Sequence, residues 1–367
     1  MRILHTADWH LGKTLKGQPL IDDQDFIIKE IFKVIDDTKP DALLIAGDIY
    51  DRGVPPADAV NLFDATLNKL AEKNLPTLII AGNHDSATRL NFGSKLFESR
   101  KIFIAAKISD KPAQVVLEDK FGEVYFSLIP YFEPGEIRAK FFGEDSARMT
   151  YNDANKFYVD LARQNIPANK RSVALAHVFL TGGIESDSER KFVGGASEVE
   201  ANIFSDYNYV ALGHLHRSQK FYSGSPLKYS FDEAEHKKSL TLVELDGDGA
   251  TNIQKIPLKP RRDVCVVKGT LAELRQHERT EDYICARLTE RVINVQDKLS
   301  WVFPNLLNVE FLFKEVDSVE EAKTFHEGIS TLDYFADFFK AQTGEDLSDE
   351  YRAEMGYFLA EVWRAET

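Results

Sequence analysis

Cysteine is scarce. Only Cys265 and Cys285 occur in 367 residues, and neither stands in a CxxC pair or beside a histidine cluster. A disulfide framework is therefore excluded, and a reducing cytoplasm is the expected compartment. No run of about 18 apolar residues occurs, so no membrane span is expected. The opening MRILHTADWH has no basic segment followed by an apolar stretch and a small-residue cleavage site, so no secretory signal is expected either. Internal repeats and low-complexity tracts are missing. Basic residues are outnumbered, 45 Lys and Arg against 59 Asp and Glu, for a net charge of −14. Neutralising nucleic-acid phosphates takes Lys and Arg, so this balance taken alone argues against a nucleic-acid partner. The deficit is uneven, with 13 basic against 22 acidic residues in 261–367 and 32 against 37 in 1–260. Acids that ligate metal ions have their charge offset by the bound cations, and a partner protein can supply basic surface. The acidity weakens the nucleic-acid reading without removing it.

What is present is ordinary in bulk and specific in pattern. The length favours two domains, and 43% hydrophobic with 28% charged residues is usual for a globular protein. Apolar runs at 2–7, 41–47 and 76–82 have the length and Ile/Leu content of buried strands. Helical patterns lie between them, near 22–38 and 56–74, the second opening on Pro55-Pro56. This alternation implies an α/β layered fold with a largely parallel sheet. Further strands are expected near 102–105, 114–118, 124–130, 172–178 and 209–213, with a helix over 151–165. Residues 239–257 read as a β-hairpin around Asp246-Gly247-Asp248-Gly249. Lys259-Pro260-Arg261-Arg262 marks a boundary. Domains are expected at 1–260, at 261–317 (a small α+β module with strands at 264–269, 283–289 and 307–313), and at 318–367, helical and acidic.

Five motifs each follow an apolar run. They are Asp8-Trp9-His10, Gly47-Asp48-Ile49-Tyr50-Asp51, Gly82-Asn83-His84-Asp85, Ala176-His177 and Gly213-His214-Leu215-His216. In open α/β sheets, ligand sites form where the carboxyl ends of strands feed into loops, so these ends converge on one site. Five of the nine histidines fall in the motifs. In extended backbone, residues two apart face the same side, so Asp-x-His and His-x-His can each aim two side chains into one cavity. Glycine before Asp48, Asn83 and His214 lets the chain turn off the strand end. Carboxylate, amide and imidazole together suit Mn, Fe or Zn better than Mg or Ca. Seven candidate ligands exceed what one ion needs. Two ions about 3.5–4 Å apart, sharing a carboxylate, can clamp both oxygens of an in-line phosphoryl displacement. Each motif alone has a bland reading: a strand-end cap and core histidine at Asp8-x-His10, a turn at Gly82–Asp85, a structural histidine at 177. The ordered set outweighs those readings.

The motifs resemble those of calcineurin-like metallophosphoesterases. The wording at 5–13, 47–56, 81–86 and 223–227 is narrower and resembles the bacterial SbcD nucleases, closely over the first 260 residues and by layout beyond. The resemblance implies a four-layer β-sandwich flanked by helices, a smaller α+β capping domain and a C-terminal helix. It implies that Asp8, His10 and His216 bind one metal, that Asn83, His177 and His214 bind a second, and that Asp48 bridges them, with manganese as the metal. His84 would act on the scissile phosphate, its ring held by Asp51 or Asp85. Archaeal and eukaryotic relatives carry His where Asp51 stands, which leaves the role of Asp51 open. The resemblance also implies a DNA substrate, 3′-to-5′ exonuclease and hairpin endonuclease action, a partnership with an SbcC-type ABC ATPase, and work at the nucleoid. A homodimer would form through Leu62, Phe63, Leu67 and Leu70 and a helix near 87–98; the same stripe also reads as internal core. Lys13, Lys16, Arg52 and Arg89 lie near the motifs and can contact phosphates, or be plain solvated surface. Tyr351, Met355, Phe358, Leu359 and Val362 share one face of a helix beginning at Ser348, a face for the SbcC coiled coil or for the chain's own domain. A nucleotide or metabolite phosphoesterase shares the fold and metals, and a metal-free scaffold is the alternative of another class.

Overall fold

The computed structural model describes residues 1–143, 146–189, 198–312 and 330–365, with Ala341 and residues 360–365 by backbone alone. The chain divides into two compact units, Met1–Val266 with Glu281–Ile284, and Val267–Thr280 with Cys285–Thr367.

In the first unit the expected strands form two sheets. The strands are β1 (Arg2–Thr6), β2 (Ala42–Ala46), β3 (Thr77–Ile80), β4 (Ile102–Ala105), β5 (Ala113–Asp119), β6 (Gly122–Ile129), β7 (Arg171–His177), β8 (Tyr209–Gly213), β9 (Ser239–Leu245) and β10 (Thr251–Pro257). One sheet has the order β10-β9-β1-β2-β3-β4, the other β8-β7-β6-β5. Strands β1 to β4 run parallel, with Ile3 opposite Ala42 and Leu43 opposite Thr77. The hairpin β9–β10 adds to them antiparallel through β9. Strands β8, β7 and β6 are also parallel.

Alternation along each strand sorts the core into layers. Ile3, Leu44, Leu78 and Ile80 meet Phe126, Leu128, Val173 and Leu175 between the sheets. Their neighbours Ala174, Ala176, Val210 and Leu212 point the other way and pack against Ala154, Tyr158 and Val159 of α3 (Tyr151–Arg163). On α1 (Ile21–Thr38), Ile27, Ile28, Ile31, Phe32 and Ile35 are buried, one apolar stripe at helical spacing. On α2 (Ala57–Glu72) the buried set is Ala59, Phe63, Thr66, Leu67 and Leu70. Phe63, Leu67 and Leu70 are buried within the chain, which is the internal-core reading of the two the stripe allowed; Leu62 is half-buried. The helix expected near 87–98 is two single turns, Ala87–Leu90 and Ser94–Phe97, interrupted at Gly93 with φ +72°. Around that break the exposed apolar side chains are Phe92 and Leu96.

The second unit contains most of a three-stranded sheet ordered β11 (Val264–Gly269), β12 (Tyr283–Leu288), β13 (Leu306–Phe311). Its core holds Leu274, Leu288, Leu299, Val302, Phe303 and Leu306. Residue 313 of the expected third strand and residues 318–329 lie outside the described residues. Helix α4 (Thr331–Thr343) ends at Gly344, with φ +71°, and α5 (Asp349–Ala365) follows. Ser348 caps α5 by accepting the Tyr351 N–H at 3.3 Å. The two helices meet through the Phe339 and Tyr351 rings and an Arg352–Asp333 ion pair. Phe338, Tyr357 and Phe358 stay at least 60% exposed. Tyr351, Met355 and Leu359 are half-buried, and the side chain of Val362 lies outside the described residues. Among the described residues no helix is long and apolar enough to cross a membrane.

Candidate metal centre

The carboxyl ends of β1, β2, β3, β7 and β8 bring the five motifs together. Beyond the strands, the first two loops continue as a ladder: Asp8 N–H donates to Gly47 O at 3.1 Å, His10 N–H to Asp48 O at 3.0 Å and Leu11 N–H to Ile49 O at 2.9 Å. Asp8, His10, Asp48 and His214 have positive φ (55°, 44°, 50° and 108°). The expected extended backbone is therefore wrong here. Left-handed turns, costly for residues with a side chain, aim these groups inward. The glycines serve mainly close approach. A Cβ on Gly82 would lie 2.2 Å from Asp48 Oδ1, and one on Gly213 would lie 1.8 Å from Ala46 O; Gly47 alone of the three also needs its positive φ, +84°.

Asp8, His10, Asp48, His177, His214 and His216 are each at most 4% exposed. Asp48 Oδ2 lies 3.4 Å from His177 Nε2 and 3.6 Å from His10 Nε2, while Asp48 Oδ1 accepts the His84 N–H at 2.8 Å. Asn83 Oδ1 is 2.9 Å from His177 Nε2 and 3.1 Å from His214 Nδ1. His10 Nε2 and His216 Nε2 are 3.0 Å apart. Two of the outward ring nitrogens have partners: His177 Nδ1 donates to Ala46 O at 2.8 Å, and His216 Nδ1 is 2.7 Å from Ser188 Oγ. His10 Nδ1 only faces Asp51 Oδ1, at 3.6 Å and without a hydrogen bond. Such outer acceptors fix the tautomer that presents an Nε2 lone pair inward, the arrangement of metal-binding histidines. Burial would by itself favour neutral imidazoles. It lowers the pKa of His10 to about 3, and that of His214, helped by neighbouring His177, to about 3. Burial also opposes charge on His177, but the Asp48 and Asp8 carboxylates outweigh it and raise its pKa to about 9. Burial, then repulsion from Asp48, pushes Asp8 well above the carboxylate range.

A divalent cation fits this chemistry. Asp8 Oδ2 is buried with no hydrogen-bond partner, and the His10 and His216 Nε2 atoms facing each other at 3.0 Å must share either a proton or a cation. Asp8, Asp48 and His177 form one group of candidate ligands, and His10, Asp48 and His84 form another; Asp48 is common to both.

His84 differs from the others. It is half-exposed and lines an open cleft with Asp51, Arg52, Gly53, Asn83, Ser188 and Glu189. Its Nδ1 donates at 2.8 Å to the main-chain carbonyl of Asp51, not to a carboxylate. The Asp51 carboxylate pairs instead with Lys13 at 2.8 Å and lies toward His10; against burial, those contacts hold it below the usual carboxylate range. Asp85 accepts the N–H groups of Gly82, Tyr50 and Ile49 at 2.9–3.1 Å and so ties two loops together. Burial and nearby Asp48 raise its pKa to about 7. Lys13 is committed to Asp51 and Arg89 donates to Gly53 O at 2.9 Å, whereas Arg52 and Lys16 are exposed.

Sequence reasoning missed Ser188, Glu189, Glu233 and Lys238. Glu189 accepts the His216 N–H, and Glu233, fully buried, lies 3.3 Å from His216 Nδ1. No periodicity flags these residues, because they come from irregular segments. His5 shows the opposite outcome. It is a core histidine bonded to Tyr209 OH at 2.9 Å, with its pKa lowered to about 3 by burial and then by Lys255.

The family model described as calcineurin-like phosphoesterase matches residues 1–218. The SbcD subunit of the nuclease SbcCD from Staphylococcus epidermidis is 32% identical, over 98% of both chains. Its counterpart from Staphylococcus saprophyticus is 33% identical, over 95% of both. The chain belongs to the calcineurin-like phosphoesterases, in the SbcD nuclease family. Members of this family are metal-dependent phosphodiester hydrolases using divalent ions, and this chain is one of them. A solved structure, TT1561 of Thermus thermophilus, is 14% identical with a TM-score of 0.40, covering 69% of this chain and 98% of that one.

Proposed function

We propose that the chain is the nuclease subunit of an SbcCD-type complex, cleaving DNA phosphodiesters with two divalent ions, manganese in the first place. The observation that carries this reading is Asp48. Its one carboxylate oxygen reaches toward His10 on one side and His177 on the other, as a bridging ligand must. Asp8, His10 and His216 would hold one ion; Asn83, His177 and His214 would hold the other. Ions there would polarise a phosphoryl oxygen and lower the pKa of an attacking water.

The chain's own residues supply the rest. Ala46 O, accepting from His177 Nδ1, keeps that ring's Nε2 inward, and the Asp51 carboxylate, 3.6 Å from His10 Nδ1, favours a proton on that nitrogen. His84, its Nδ1–H tied to Asp51 O, keeps Nε2 available at the cleft, where the imidazolium form can orient the phosphate or give its Nε2 proton to the leaving oxygen. Arg52 on the cleft wall and exposed Lys16 nearby in sequence are the DNA contacts we favour; Lys13 and Arg89 instead brace the site. Exonuclease action on duplex ends and endonuclease action on hairpins both fit an open cleft. The exposed Phe338, Tyr357 and Phe358 of α4 and α5 suit docking to the coiled coil of an SbcC-type ATPase, and Phe92 and Leu96 suit a homodimer contact. Labelled hairpin DNA tests the activity: nicking with Mn²⁺ and none after chelation is expected, and chelator-insensitive cleavage would refute it.

A further inference from the structure

Behind His216 lies a buried polar chain that the reaction as outlined does not use. Ser188 Oγ stands 2.7 Å from His216 Nδ1 and donates to Glu233 Oε1. A hydroxyl carries one proton, so an oxygen donating to Glu233 meets His216 with a lone pair. Nδ1 must then carry the imidazole proton, and Nε2 must present a lone pair toward His10. Glu233 Oε1 also accepts the Tyr229 N–H at 3.2 Å. Its other oxygen accepts from Lys238, which is 7% exposed and donates as well to His216 O at 2.9 Å and Ser225 Oγ at 2.8 Å. A buried carboxylate is costly unless paired, and Lys238 is the counter-charge that keeps Glu233 an acceptor. Ser188 also lines the open cleft beside His84.

We propose that Glu233 is a positioning residue for His216, acting through Ser188 and held anionic by Lys238, and that it sets which His216 nitrogen faces the metal centre. An ion pair that only stabilises the core would have no need to reach an imidazole nitrogen. The chain Lys238–Glu233–Ser188–His216 instead terminates on one, and it links that nitrogen to the cleft wall. This inference rests on the metal-binding reading of the site, but its first readout needs no metal.

The test uses Glu233→Gln and Ser188→Ala in the full chain. Nitrogen NMR of labelled, metal-free protein reports the His216 tautomer, and Mn²⁺ titration reports affinity. In the wild type, the Nδ1–H form is expected. In Glu233→Gln the amide can donate, so the Nε2–H form should gain population, and Mn²⁺ affinity at one of two sites should fall about 10–100-fold. Ser188→Ala leaves Glu233 in direct reach at 3.3 Å and should lose only a few-fold. A wild-type His216 protonated at Nε2, or a Glu233→Gln variant with unchanged tautomer and affinity, would overturn the proposal. If Glu233→Gln does not fold, a majority Nε2–H form in Ser188→Ala, where the Glu233 carboxylate still faces Nδ1 directly at 3.3 Å, would overturn it equally. A wild type that binds no Mn²⁺ but shows the Nδ1–H tautomer would reject the metal reading and leave the positioning intact.

Discussion

The metal centre and the C-terminal helix pair break the usual distribution of side chains in opposite directions. At the strand ends, six acids and histidines are almost wholly buried, where polar groups seldom sit without partners. On α4 and α5, three aromatic side chains lie at least 60% exposed, where apolar groups seldom cluster without a use. The first departure concentrates lone pairs in a buried site, and the second sets three aromatic rings against solvent. A rigid two-sheet scaffold holds the first. Two helices in mutual contact carry the second.

The largest expected effect strikes the buried side of that contrast. Asp48→Asn should weaken Mn²⁺ binding at both sites and abolish cleavage, whereas Asp8→Asn should weaken one site. Calorimetric titration of each variant reads the difference. If Asp48→Asn spared one site fully, the shared carboxylate would be ruled out.

A smaller effect separates buried charge that needs a metal from buried charge that does not. Arg171 and Asp119 pair in the same unit at 6% and 10% exposure, and Arg171 also donates to Gly122 O at 2.7 Å. Because the Met1 ammonium, 2.7 Å from Asp119, remains as a counter-charge, Arg171→Met should cost about 1–3 kcal/mol of stability while leaving the Mn²⁺ stoichiometry unchanged. The hydrogen bonds from Arg171 hold the Asp119 carboxyl below the usual range. A depressed folded-state pKa stabilises fully above the unfolded value, about 3.9, and the contribution fades as pH falls through the lower folded value. Arg171→Met should therefore flatten the acid limb of the stability curve below about pH 4. An unchanged acid limb in denaturant titrations would show the pair to be idle.

The smallest effect on the lone chain is expected on the exposed side. Phe358→Asp should change its stability by no more than about 0.5 kcal/mol, as for most surface substitutions. It should weaken SbcC capture by about 2 kcal/mol or more if Phe358 anchors that interface. A sharp fall in melting temperature with undiminished capture would turn the aromatic face into ordinary core.

Much of this was legible in the sequence, for identifiable reasons. Strands such as Ala42–Ala46 are buried on both faces and show as unbroken apolar runs, and the stripe of α1 shows at helical spacing. The clustering of Asp8, His10, Asp48, Asn83, His177, His214 and His216 followed from where strands end. The local backbone did not follow, because left-handed turns at Asp8 and His10 give the same convergence that an extended chain was expected to give. The stripe of α2 could not say what it packs against, since an internal core and a dimer face share one periodicity. The partners of His216 were hidden for a third reason: Ser188 and Glu233 lie 28 and 17 residues away along the chain, in segments without a period.

His84 offers the most direct test, because it is the cleft-lining histidine of a site whose other histidines are buried. Metal analysis and hairpin cleavage of purified His84→Ala, measured side by side, probe both halves of the site at once. Two bound Mn²⁺ with cleavage reduced about 10²–10⁴-fold is the expected result, the usual cost of removing one positioned acid–base group. Loss of one metal equivalent, or cleavage at the native rate, would contradict it.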